Sequence, residues 1–219
     1  EPISIDEAFL DVTGSIKLFG SAEHIGKQIK KRIKDEVKLN ASVGIADNKF
    51  LAKLGSDLEK PNGFVVITGQ NKQQILDPLP VSRIWGIGQK TSEKLEKIGI
   101  KTVKQLRELS SEYLKTIFGS STDEVLKLCR GIDERCVESV RIPKSFSAEE
   151  TFASDTIDKE KLLDVLLEQV QEVAFRLRTK KFEGRKITVK MRYRDFKTIS
   201  RTETMPDFTN TTNQLWKQA

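Results

Sequence analysis

The sequence predicts an α+β chain of several domains, and three observations predict it. Short apolar strands alternate with amphipathic helices up to residue 68. A lysine-rich helical stretch follows, broken by a Trp85-Gly86-Ile87-Gly88 corner. A long apolar helical stripe then precedes a strictly alternating basic strand. A length of 219 residues suits one to three domains. The balance of 37% hydrophobic and 32% charged residues is that of a globular chain with a polar surface. No apolar run approaches the roughly 18 residues of a membrane span. The opening Glu1-Pro2 has neither the basic nor the apolar region of a signal peptide, so a cytoplasmic location without a membrane partner is expected. The missing initiator Met suggests a fragment or a processed chain.

In the first segment, residues 1–68, Ile3, Ile5, Phe9, Leu10 and Val12 suggest a strand or hairpin. Ile25, Ile29, Ile33 and Val37 recur every four residues and predict an amphipathic helix. Leu39, Ala41, Val43 and Ile45 alternate as in a strand. Asp47 or Asn48 can cap the next helix, which carries Phe50, Leu51 and Leu54. Lys60-Pro61-Asn62-Gly63 is a turn, and Phe64-Val65-Val66-Ile67 a buried strand. Strands alternating with helices make this an α/β layer.

The second segment, residues 69–137, is helical. Its Trp85-Gly86-Ile87-Gly88 corner lies between two helical patterns and reads as a helix-hairpin-helix. Leu95, Ile98, Val103 and Leu106 are its expected packing residues. Residues 138–144 have no periodicity and contain Pro143, which makes them a linker. In the third segment, residues 145–219, Leu163, Leu166, Leu167, Val170, Val173, Ala174 and Leu177 form one helical stripe. From Lys186 to Arg194, Ile187, Val189, Met191 and Tyr193 face one way. Lys186, Thr188, Lys190, Arg192 and Arg194 face the other. A second strand over about 198–204 should pair with it, and the chain stops early in another helix.

Charge is uneven. The whole chain carries +6, but residues 176–201 hold eleven Lys/Arg against Glu183 and Asp195, a local +9 that leaves −3 elsewhere. A basic block on a near-neutral body suits a polyanion. Cys129 and Cys136 are too few and wrongly spaced for a disulfide framework or a zinc site, with His24 the one histidine. They read as reduced thiols, and His24 as a surface or capping residue.

Asp6-Glu7 places two adjacent carboxylates in an apolar run. Such a pair is either a solvent-facing turn or, beside a phosphate substrate, a Mg²⁺ site, since that ion prefers oxygen ligands. Neighbours on a regular strand point to opposite faces. Both carboxylates can serve one site only at a hairpin bend, where Asp6 and Glu7 are therefore expected. Lys49, Lys53 and Lys60 approach the same segment. Each alone reads as a solvated surface lysine, although Lys60 on its turn could meet a phosphate as a point charge. Gly86 and Gly88 would let backbone N–H groups approach a phosphate, with Lys90, Lys94, Lys97, Lys101 and Lys104 around them. The alternative is a plain packing corner. The basic strand face is either solvated edge protection or a run of phosphate contacts.

In order along the chain, these blocks resemble those of one family. Ser4-Ile5-Asp6-Glu7-Ala8 resembles the palm motif of Y-family (translesion) DNA polymerases, of the DNA polymerase IV branch. Ala41-Ser42-Val43-Gly44-Ile45-Ala46, then Asn48-Lys49-Phe50-Leu51-Ala52-Lys53, Asp57 and Lys60-Pro61-Asn62-Gly63 resemble the second half of that palm. Trp85-Gly86-Ile87-Gly88 resembles the thumb hairpin, and Ser145-Phe146-Ser147-Ala148-Glu149-Glu150-Thr151-Phe152 the entry to the little finger. The resemblance implies a partial α/β palm, an all-α thumb and an incomplete α+β little finger. It implies that Asp6 and Glu7 are catalytic metal ligands in a site of two Mg²⁺, and that Lys60 contacts the incoming deoxynucleoside triphosphate. Primer-template DNA would meet Gly86, Gly88, Lys90, Lys94, Lys186, Lys190, Arg192 and Arg194. A sliding clamp would serve the full-length protein, although no clamp-binding peptide is visible. The family's N-terminal aspartate strand and fingers have no counterpart in these residues, so the chain alone is expected not to polymerise. Competing expectations are a non-catalytic DNA-binding module and an unrelated metal-dependent nuclease.

Overall fold

The computed structural model describes residues 1–219 and divides into two compact units, Glu1–Arg141 and Ile142–Ala219. The division falls inside the stretch read as a linker, where no regular element forms.

The first unit opens on a loop rather than the expected strand pair. Pro2 and Ala8 form a single antiparallel bridge, and the chain bends sharply over residues 4–6. Ser4 Oγ bonds Asp6 at 2.7 Å. This local side-chain bond competes with a strand ladder, and no neighbouring strand supplies one. A 3₁₀ turn, Thr13–Ser15, leads into α1 (Ile16–Phe19) and α2 (Ala22–Val37). Ser21 caps α2 by accepting from the His24 backbone N–H, and His24 itself is exposed. Next come β1 (Val43–Ala46), α3 (Lys49–Leu58) and β2 (Phe64–Ile67). The two strands pair in parallel, Val43 opposite Phe64 and Ala46 opposite Ile67, with α3 as the crossover. Leu39 and Ala41 fall before β1. Asn48, not Asp47, caps α3 by accepting from the Leu51 N–H. The strand–helix approach is very close at Gly44, where a Cβ would lie 2.0 Å from the Ala52 carbonyl oxygen. Only glycine fits between β1 and α3 there.

The chain continues through α4 (Lys72–Leu76), a 3₁₀ turn at Val81–Arg83, α5 (Gln89–Lys97), α6 (Val103–Arg107), α7 (Ser111–Phe118) and α8 (Thr122–Cys129). Leu95, Val103 and Leu106 are fully buried as expected, whereas Ile98 is 48% exposed. The helix ends at Ile98 and Gly99 turns with φ +85°, which swings Ile98 outward and brings Ile100 against the core instead. One core runs from Phe50, Leu51 and Leu54 of α3 through Ile84 and Ile87 to Leu128 and Cys129 of α8. The α/β layer and the helical segment therefore share a single interior.

The second unit holds α9 (Lys159–Lys180), β3 (Gly184–Arg192), β4 (Thr198–Thr209) and α10 (Thr212–Gln218). Asp158 caps α9 by accepting from two backbone N–H groups. β3 and β4 form an antiparallel pair with an irregularity between Gly184 and Lys186. β4 extends beyond the expected 204 because Met205 and Thr209 are buried. Ala174, Leu177, Met205 and Leu215 make a small core with Phe146, Phe182 and Ile187 against it. Met191 and Tyr193, expected on the apolar face, are 41% and 48% exposed.

Candidate active site and nucleic-acid interface

Asp6 and Glu7 lie at a bend, as the two-face argument required. The Ile3 N–H donates to the Glu7 carbonyl at 2.8 Å, closing a tight loop around Ser4, Ile5 and Asp6. Asp6 is exposed, and its strongest partner is the Ser4 hydroxyl, which holds its pKa below the ordinary carboxylate value. Glu7 is paired with lysines. Its Oε1 accepts from Lys53 at 3.1 Å and lies 3.5 Å from Lys60. Both lysines also reach Asp57, each at 2.7 Å. Glu7, Lys53, Asp57 and Lys60 thus close a ring of two acids and two bases beside Asp6. In the sequence, Asp57 stands out only as part of the block ending in Lys60-Pro61-Asn62-Gly63. The i,i+4 spacing of Lys53 and Asp57 on α3 was the signal of a shared face, and Lys60 reaches Asp57 from the turn after the helix.

Two further devices fix this region. Lys30 of α2 places its ammonium among the carbonyls of Ala41, Asn62 and Gly63 and the Asn62 side-chain oxygen. That anchors the Lys60-Pro61-Asn62-Gly63 turn to a helix 32 residues upstream. Lys49, expected to be a solvated surface residue, is 8% exposed. Its ammonium meets Glu1 at 2.6 Å and the Cys136 carbonyl at 3.2 Å, and sits 5.2 Å from the Phe9 ring centroid. Packing of Phe9 against Trp85, centroids 6.2 Å apart, extends this contact to the hairpin. The acidic loop is therefore held from both ends.

Asp6 and Glu7 offer the oxygen donors that Mg²⁺ prefers. No group of three or more His, Cys, Asp or Glu side chains converges anywhere in the chain, and Glu7 is already occupied by two ammoniums. The donors present are short of a set that would hold a catalytic Mg²⁺ unaided.

At the hairpin, Ile87 is buried and anchors the corner, while Gly86 turns with φ +96°. Gly86 and Gly88 are exposed with open space around them, and Gly88 opens α5. Lys90 and Lys94 are exposed on α5, where the surface is open to an anion. Arg135 stacks over Trp85 at 4.4 Å.

On the second unit, Lys186, Lys190 and Arg192 project from β3 and are exposed. Arg194 does not join them. The chain reverses through a Tyr193–Lys197 turn, closed by the Tyr193 N–H on the Lys197 carbonyl at 2.9 Å, so the strand ends at Arg192. Arg194 lies on that turn, 3.7 Å from Asp155. The register adds a row that the sequence reading missed. Lys186, Thr188, Lys190 and Arg192 stand opposite Thr204, Thr202, Ser200 and Thr198, so a column of hydroxyls lines the cations. Cations beside hydroxyls suit phosphate oxygens.

Comparison with known proteins gives the class. Residues 1–57 match the impB/mucB/samB family, residues 143–219 that family's C-terminal domain, and residues 82–133 the thumb domain described for DNA polymerase-iota. The chain is 29% identical to a Y-family DNA polymerase chimera built from Dbh and Dpo4, with a TM-score of 0.84 over 99% of this chain and 62% of the other. It belongs to the Y family of DNA polymerases. Its curated relatives include DNA polymerases IV. The protein from Desulfatibacillum aliphaticivorans is 39% identical over 100% of this chain, and that from Clostridioides difficile 44% over 98%. The chain spans 55% and 59% of their respective lengths. No helix is long and apolar enough to cross a membrane.

Proposed function

We propose that this chain is the catalytic-loop, thumb and little-finger portion of a cytoplasmic translesion DNA-directed DNA polymerase, a low-fidelity enzyme that copies past damage. Its parts are residues 1–68, 69–137, the 138–144 linker and 145–219. Asp6 and Glu7 serve as catalytic carboxylates and oxygen ligands in a site of two Mg²⁺ once further donors complete it. Lys60 meets the phosphates of the incoming deoxynucleoside triphosphate. Primer-template DNA runs along the Gly86/Gly88 corner with Lys90 and Lys94, and along Lys186, Lys190 and Arg192, with Arg194 beyond that face on the following turn. A sliding clamp is a partner of the whole polymerase. The observation that carries this reading is the convergence of Glu7 with Lys60, 53 residues away, beside the exposed carboxylate of Asp6.

The test is a primer-extension assay with Mg²⁺, paired with DNA binding. The 219-residue chain is expected to bind primer-template DNA and not to extend it. Template-dependent extension by this chain alone would overturn its incompleteness, and failure to bind DNA would overturn the reading itself. A non-catalytic DNA-binding module is favoured by one feature, the engagement of Glu7 by two lysines. Mn²⁺ titration separates the two readings. Binding that Asp6→Ala removes, with DNA affinity intact, supports the polymerase.

A further inference from the structure

The ring around Glu7 has an unequal geometry. Glu7 uses one oxygen for both lysines, at 3.1 and 3.5 Å. Asp57 uses a separate oxygen for each, Oδ2 for Lys53 and Oδ1 for Lys60, both at 2.7 Å. Asp57 is therefore the tighter holder of the two ammoniums. Its side chain is 25% exposed, as is that of Lys53, while Lys60 is 53% exposed. The carboxylate is the more buried end of that pair and Lys60 the more exposed. Burial would raise the pKa of Asp57, yet the hydrogen bonds from Lys53 and then Lys60 bring it below the ordinary value. Lys60 is raised in return, chiefly by its bond to Asp57. Both partners are thus charged at neutral pH.

We propose that Asp57 is a positioning residue for polyphosphate recognition, holding Lys53 and Lys60 side by side on its two carboxylate oxygens so that both ammoniums meet one triphosphate. The proposal rests on the reading of Lys60 as a phosphate contact and adds Lys53 and Asp57 to it. Lysine is a flexible point charge on a four-carbon stem, and two such charges repel each other. A carboxylate between them offsets the repulsion and fixes both stems before the ligand arrives, so less ordering remains for binding. The ring is neutral as a whole, so bulk charge does not explain attraction for a polyanion. Pre-placed donors do.

This makes the sign of one substitution decisive. Asp57→Asn removes a negative charge beside the proposed phosphate site. If charge alone governed binding, the variant would take up triphosphate more tightly. If Asp57 positions the lysines, the variant binds it more weakly, by about five- to tenfold. The experiment is calorimetric titration of the 219-residue chain, wild type and Asp57→Asn, with inorganic triphosphate at low ionic strength. Asp57→Glu, which keeps the carboxylate, should recover part of the loss. Lysine ammonium signals in nitrogen-15 spectra report the ring directly, and those of Lys53 and Lys60 should move or broaden in Asp57→Asn without ligand. Unchanged or tighter binding by Asp57→Asn overturns the positioning role while leaving the phosphate reading of Lys60 intact. Absence of triphosphate binding by the wild-type chain overturns both. Loss of binding with unperturbed lysine signals also overturns the proposal.

Discussion

Asp133 shows how one buried carboxylate fixes a functional neighbourhood. It accepts the Phe50 N–H at 3.0 Å, in the first turn of α3, and binds Arg135 through both oxygens. Its side chain is 3% exposed. Burial pushes its pKa up, but the Arg135 hydrogen bonds and charge outweigh that and hold it below the ordinary 3.8. A carboxylate depressed in the folded state stabilises the fold above its ordinary pKa. That contribution is lost as pH falls through the folded value. Circular dichroism should therefore show acid unfolding below about pH 4. Asp133→Asn should cost about 2 kcal/mol near neutrality and flatten the acid limb, because the charge-assisted bonds are gone already. A variant as acid-sensitive as the wild type would remove Asp133 from this account. None of this was legible in the sequence, where Asp133 is one acid among many. Its role depends on α3 being folded 83 residues upstream.

At the scale of elements, periodicity was a good guide wherever one face packs. α2, α3, α9 and β2 stand where apolar spacing put them, while β1 keeps only the Val43 and Ile45 half of its alternation. It failed at the first dozen residues, where a Ser–Asp bond bends the chain, and at Arg194, where a turn ends the strand. Lys190→Ala and Arg192→Ala should each weaken primer-template binding across sequences and reduce its salt slope by about one. Arg194→Ala, off the face and beside Asp155, should do less. Fluorescence anisotropy against salt concentration measures all three. Equal slopes for the three variants would mean that the strand face is not what holds the DNA.

For the molecule as a whole, the two units carry separate cores of very different size. The first has sixteen buried residues in one cluster and the second four. A small core buries little apolar surface and gives marginal stability. Unfolding is expected in two steps, residues 142–219 first, with tyrosine and tryptophan signals separating them. Trp85 and Tyr113 report the first unit and Trp216 and Tyr193 the second, so single-tryptophan variants W85F and W216F isolate each. A single cooperative transition in both variants would show that the units stabilise each other strongly.

The sequence by itself determined the order of elements, the family, the carboxylate pair and the basic strand. These are properties of local spacing and of short motifs, which survive without knowledge of any distant contact. Only the tertiary structure decided what surrounds Glu7. It set Asp57 under two lysines, buried Lys49 against Glu1 and Phe9, and lined the basic strand with hydroxyls from β4. Each of these depends on where the backbone places residues far apart in the chain. Ion pairing and burial act through distance in space, which sequence spacing does not encode.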